Sequence, residues 1–138
     1  MKTYSISEVA TKLNLTVYTL RYYDKEGLLP FVERTESGVR VFKDSDIEAL
    51  RIMECLKSTG MPLKEIKTFF DWCMEGDSTL QERYELFIER KATVETQLKE
   101  LNKTMELIKH KCWYYQTALE AGTEEIHKDD KIEVYSSQ

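Results

Sequence analysis

The chain has 138 residues, is 41% hydrophobic and carries a formal charge of −5. That length suits about one domain with a modest core. No run of about 18 apolar residues is present to span a bilayer, and the first thirty residues lack a secretory apolar stretch, so the cytoplasm is the expected compartment. Cys55, Cys73 and Cys112 lie far apart in a chain with no export signal, which argues for reduced thiols over a disulfide framework.

The negative charge is unevenly spread. Residues 1–67 hold 11 Lys/Arg against 10 Asp/Glu, net +1, while residues 68–138 hold 9 against 15, net −6. The acidity therefore belongs to the C-terminal half, and a local basic face suffices to meet a polyanion.

"SISEVATKL" sets Ser5 and Glu8 at capping-box spacing, with Ile6, Val9, Ala10 and Leu13 at helical intervals. After Asn14 and Leu15, Thr16 caps a second helix running to about Glu26, with Gly27 as its stop. Two short helices across a tight turn have the outline of a helix-turn-helix. On the second helix Val17 and Leu20 point one way, and Tyr18, Thr19, Tyr22 and Lys25 spread over the other. Arg21 lies at the margin, within reach of a phosphate or of Asp24. Hydroxyls and cations beside a helix N-terminus can hydrogen-bond phosphates and base edges. Tyr23 faces neither side cleanly, and plain packing stays open for it.

"FVERTESGVRVFK" contains two β-prone runs around Glu36, Ser37 and Gly38, read as a two-stranded wing carrying Arg34, Arg40 and Lys43. Such cations can lie against a flanking nucleic-acid backbone or in its minor groove. Ser45 and Glu48 repeat the capping-box spacing ahead of a third helix whose apolar face is Ala49, Leu50, Ile52, Met53 and Leu56. Gly60 ends it, and Pro62 opens a fourth helix with Leu63, Ile66, Phe69, Phe70 and Cys73 at core spacing. Lys57 and Lys64 flank the turn between these helices, either as a second positive edge or as scattered surface charge.

Thr79 and Glu82 make a further capping box, and a long helix follows. Leu80, Tyr84, Phe87, Lys91, Val94, Leu98, Leu101, Met105, Ile108, Cys112, Tyr115 and Leu119 advance in alternating steps of four and three, a heptad seam broken only by Lys91. A helix about 60 Å long, at 1.5 Å per residue, needs a partner for that stripe, most simply its own copy. Gly122 closes it. The polar tail can fold back through Ile126, Ile132, Val134 and Tyr135. The expected organisation is a winged helix-turn-helix domain over 1–77, a coiled-coil dimerisation helix over 78–121 and a polar tail over 122–138, mostly α.

"YSISEVATKLNLTVYTLRYYDKEGLLP", "RTESGVRVF" and "DIEALRIMECLKSTGMPLKEIKTFF", followed by the heptad helix, resemble the MerR-type transcriptional regulators over about residues 3–121. The resemblance implies a winged helix-turn-helix homodimer joined by an antiparallel coiled coil. It implies binding to pseudo-palindromic double-stranded promoter DNA, and activation by distorting the spacer until RNA polymerase can use both recognition elements. Carried over by position, Tyr18, Arg21 and Tyr22 are helix contacts, Arg40 a wing contact and Lys64 a backbone contact. Thr16, Thr19, Lys25, Arg34 and Lys43 complete the expected DNA-contacting set.

The signal is less legible. A large drug-binding domain is excluded by length. The tail has no cysteine, and His110 and His127 are the nearest donors to Cys112, so neither a metal nor a cofactor is expected. Cys55 matches the single cysteine of the family's aldehyde- and nitrosative-stress branch. Arg51, one turn before it, favours thiolate, and inert packing stays open as the alternative. Trp72, Trp113, Tyr114 and Tyr115 serve either ordinary interface packing or a pocket for an apolar ligand. An enzyme is excluded for want of parts: no glycine-rich phosphate loop, no metal-spaced His and carboxylate pair, no nucleophile motif. A protein-only coiled-coil adaptor leaves the basic helix and wing unexplained, and an excisionase-like architectural protein lacks the long helix.

Overall fold

The computed structural model describes residues 2–129. The chain divides into two compact units, one ending at Arg90 and the other beginning at Lys91.

In the first unit, α1 (Ile6–Leu13) is opened by the expected capping box. The Glu8 backbone N–H donates to Ser5 Oγ at 3.2 Å, and the Ser5 N–H donates to Glu8 Oε1 at 2.9 Å. Two of the helix's orphan donors are thereby satisfied. Asn14 ends α1 in the left-handed region at φ 55°. Thr16 then accepts the Thr19 N–H at 3.0 Å and starts α2 (Val17–Lys25). The connection is tight because one residue type that tolerates positive φ is followed at once by a good N-cap.

The wing is a hairpin of β2 (Glu33–Arg34) and β3 (Arg40–Lys43), with Gly38 at φ +88° in its turn. A third strand, β1 (Thr3–Tyr4), pairs antiparallel with the other edge of β3, giving the order β1-β3-β2. Two residues carry no alternation to read, so β1 has no signature in the sequence. It exists because β3 offers unpaired backbone groups beside it.

Helix α3 spans Asp44–Ser58 and α4 spans Leu63–Glu75. The cap of α3 differs from expectation. Ser45 lies inside the helix, and the Lys43 N–H is satisfied by Asp46 Oδ2 at 2.9 Å instead of a Ser45–Glu48 box. Asp46 is buried there, and Asp44 accepts a hydrogen bond from the Tyr4 hydroxyl at 2.8 Å. The apolar face is rotated accordingly, with Ile47 buried and Ile52 exposed. Cys73 of α4 is likewise exposed rather than in the core. One core joins these elements through Val9, Leu20, Tyr23, Leu28, Phe42, Leu50, Met53, Leu56 and Ile66.

A 3-10 turn, Asp77–Thr79, leads into α5 (Leu80–Ala121). Thr79 turns inward instead of forming a capping box with Glu82. Its buried hydroxyl donates to the Trp72 and Gly76 carbonyls and accepts from Arg83 Nε. The first turns of α5 pack in the first unit, with Phe87 edge-on to Phe69 at 5.4 Å and Leu86 against the core.

In the second unit the chain turns at Gly122 (φ +76°), and a 3-10 segment, Glu124–His127, lies back on α5. The anchor is His127, buried and stacked on Tyr114 at 4.3 Å, while Ile126 is exposed. A side chain combining a flat apolar face with a hydrogen-bonding nitrogen satisfies this partly polar surface better than an aliphatic one. Ile132, Val134 and Tyr135 lie outside the described residues.

Candidate nucleic-acid interface

Helix α2 presents its polar side to solvent. Tyr18 is 80% exposed and Tyr22 43%. Thr16, Arg21 and Lys25 are also exposed, and Thr19 is half-buried with its hydroxyl 2.8 Å from that of Thr16. The opposite side supplies Leu20 and Tyr23 to the core, which fixes the rotation of the helix. Tyr23 therefore packs. Its hydroxyl donates to Glu54 Oε2 at 3.0 Å and accepts from Lys57 Nζ at 2.8 Å. Burial is the main cause pushing the Tyr23 pKa up, and the hydrogen bond to Tyr23 is the main cause raising that of Lys57. Both lysines beside the α3–α4 turn are exposed, but the Lys57 ammonium is committed to Tyr23 of α2, whereas Lys64 stands on the first turn of α4.

The wing's cations are held from below. Asp24 Oδ2 meets Arg34 Nη2 and Arg40 Nε, both at 2.6 Å, and Arg34 Nη1 donates to the Gly38 carbonyl at 3.2 Å. Asp24 thus pairs with both wing arginines, and of the two roles open to Arg21, a phosphate contact or a pair with Asp24, the second is taken by the wing. Lys43 Nζ lies 2.9 Å from Glu33 Oε1, and that hydrogen bond raises its pKa. The Asp24 clamp ties α2 and the wing into one surface. Helix periodicity could not reveal it, because the pairing bridges residues 10 and 16 positions apart.

The three thiols are all exposed. Arg51 is the guanidinium one turn before Cys55, and it lies 3.7 Å from Glu48. The seam side of α5 is open in the single chain: Tyr84, Phe87, Leu98, Leu101, Met105, Ile108, Tyr115 and Leu119 are all exposed, as is Cys112, and Val94 is half-buried. Trp113 and Tyr114 are engaged by His127, whose Nε2 is 2.6 Å from Thr117 Oγ1. Among the described residues no cluster of three or more His, Cys, Asp or Glu is placed to hold a metal ion. No helix among them is long and apolar enough to cross a membrane.

The description "MerR HTH family regulatory protein" matches residues 4–71, and "MerR, DNA binding" matches residues 47–110. An uncharacterized HTH-type transcriptional regulator of Haemophilus influenzae is 44% identical over 121 residues, covering 88% of this chain and 90% of that protein. The chain belongs to the MerR family of helix-turn-helix regulators. The crystal structure of HiNmlR, a MerR family regulator lacking the sensor domain, bound to promoter DNA, superposes with a TM-score of 0.84 at 42% identity, covering 91% of this chain and 99% of that one. A MerR family regulator from Bacillus thuringiensis gives 0.76 at 41% identity, covering 80% and 97%. The relatives of this MerR-family chain are transcriptional regulators, not enzymes. They share its helix-turn-helix domain and long C-terminal helix, so its fold class is the expected one.

Proposed function

We propose that the protein binds pseudo-palindromic promoter DNA as a homodimer and alters transcription by distorting the spacer that RNA polymerase must read. The observation that carries this is the pairing of an exposed hydroxyl-rich face on α2 with an exposed heptad seam on α5, in a chain that superposes on a regulator bound to promoter DNA.

The seam also specifies how two copies fit. In an antiparallel pair with Leu98 against Leu101 of the second copy, Val94 meets Met105, Lys91 meets Ile108, Phe87 meets Cys112, Tyr84 meets Tyr115 and Leu80 meets Leu119. All twelve seam positions then face another seam position, so this register covers the most apolar surface. Sliding by a heptad leaves residues at both ends uncovered. Two reading heads at a fixed separation select half-site spacing, and bending the duplex between them stores about 1 to 6 kcal/mol. Tyr18, Arg21 and Tyr22 with Thr16, Thr19 and Lys25 then form the groove face, and Arg34, Arg40, Lys43 and Lys64 hold flanking phosphates.

The decisive experiment uses the promoter beside the protein's own gene. Bound DNA should migrate as bent in a circular-permutation gel, and transcription should change with the regulator present. Straight DNA at saturating protein would sink the distortion mechanism. The signal belongs to the class of stress electrophiles or small molecules, and Cys55 is the thiol proposed to receive an electrophile, a reading its exposure supports.

A further inference from the structure

Between α4 and the first turns of α5 lies a groove of about 320 Å³. Its apolar lining is Met61, buried at the α3–α4 turn, Leu86, which packs against the core, and half-buried Trp72. Its rim is strongly negative: Glu65 from α4 and Glu82, Glu85 and Glu89 from α5 stand around it, and Arg90 is the single cation. Arg90 is already engaged, donating to Thr59 Oγ1 at 3.2 Å and lying 3.8 Å from Glu89 Oε1, so the uncompensated field comes mainly from Glu65, Glu82 and Glu85.

The second copy does not fill this groove. At 100° per residue, Glu82, Glu85 and Glu89 lie about 140° to 200° around α5 from Leu80, whereas Tyr84, Phe87 and Lys91 stay within about 40° of it. The groove therefore opens on the side of α5 away from the seam. It is a cavity of ordinary ligand size that the dimer leaves exposed, a point that rests on the proposed seam.

We infer that this groove binds a small organic cation carrying an aromatic or other apolar body, as an effector site separate from Cys55 and from the DNA-facing surface. Trp72 offers the strongest cation-attracting side-chain face, the carboxylates supply the field, and Met61 and Leu86 take the apolar part. A neutral ring gains only the last of these, and an inorganic cation gains only the second. All of the lining belongs to one copy, so binding requires neither dimer nor DNA. Because the walls are α4 and α5, a bound cation favours whichever spacing of these helices suits it and so biases DNA binding.

The test titrates benzyltrimethylammonium into the full chain carrying Trp113→Phe, at constant ionic strength, and follows the emission of Trp72. Saturable quenching is expected at about millimolar concentration or below. Benzyl alcohol, which keeps the ring without the charge, should bind at least about tenfold more weakly, a difference of about 1.4 kcal/mol. Glu82→Gln with Glu85→Gln should weaken the cation by a similar factor while circular dichroism stays unchanged. The Leu98→Glu, Leu101→Glu variant should bind it as the parent does, even if the seam reading fails. Quenching that does not saturate, equal binding of the alcohol, an unaffected double glutamine variant or loss of binding in the seam variant would each overturn the assignment.

Discussion

Arg40 is held by Nε, which lies 2.6 Å from Asp24 Oδ2, and its terminal nitrogens have no partner among the described residues. A planar fork can keep one edge on a carboxylate and offer the other to a phosphate, which an ammonium cannot do. Arg40→Lys should therefore weaken operator binding about as much as Arg40→Ala, by roughly tenfold. The alanine variant should also flatten the dependence of log K on log salt by about 0.9 for one lost phosphate contact. Fluorescence anisotropy at several salt concentrations reads both, and a lysine variant as tight as the parent would contradict the role given to Asp24. Glu8 offers a separate check. The Ser5 backbone hydrogen bond is the largest cause holding its carboxyl below the usual value. A depressed folded pKa contributes stability that is present above the unfolded value, about 4.3, and is lost as pH falls through the folded one. Glu8→Gln should thus be less stable than the parent at neutral pH, with the gap closing below about pH 4, as measured by urea unfolding at each pH.

At the level of elements, α2 is fastened to α3 through the Tyr23 hydroxyl, which lies 3.0 Å from Glu54 Oε2 and 2.8 Å from Lys57 Nζ. Tyr23→Phe keeps the ring in the core but removes the hydroxyl that Lys57 donates to. The expected cost is about 1 to 2 kcal/mol, seen as a lower urea midpoint with an unchanged slope; an unaltered midpoint would show the network to be energetically idle. For α5 the proposed register makes a sharper statement. Leu98→Cys together with Leu101→Cys should cross-link two copies under mild oxidation in a background where Cys55, Cys73 and Cys112 are serine. Dimers lacking that link would require another register.

For the whole molecule, reading DNA and pairing are coupled through geometry. Leu98→Glu with Leu101→Glu places four carboxylates at the centre of the proposed rod, and sedimentation should show single chains that have lost tight operator binding because half-sites are then engaged independently. A dimeric variant would refute the seam. Tyr22→Ala, by contrast, should weaken operator binding and leave the dimer intact. Cys55→Ser should abolish any transcriptional response to aldehydes or nitrosating agents, and a variant that still responds would remove the thiol from the signal path.

The sequence by itself determined what depends on neighbours along the chain: the Ser5–Glu8 box, the Thr16 cap, the Gly38 turn between the wing's two β-prone runs and the heptads of α5. These are short-range preferences of backbone and hydrogen bonding, so spacing alone exposes them. Tertiary structure decided the rest. It added β1, moved the α3 N-cap from Ser45 to Lys43 with Asp46 as its hydrogen-bond partner, buried Ile47 in place of Ile52, and turned Cys73 outward. It also gave Asp24 to two arginines and laid the tail down on His127. Each of those outcomes depends on which remote surface arrives opposite a residue, and a buried charge or an open strand edge takes the partner that packing brings to it.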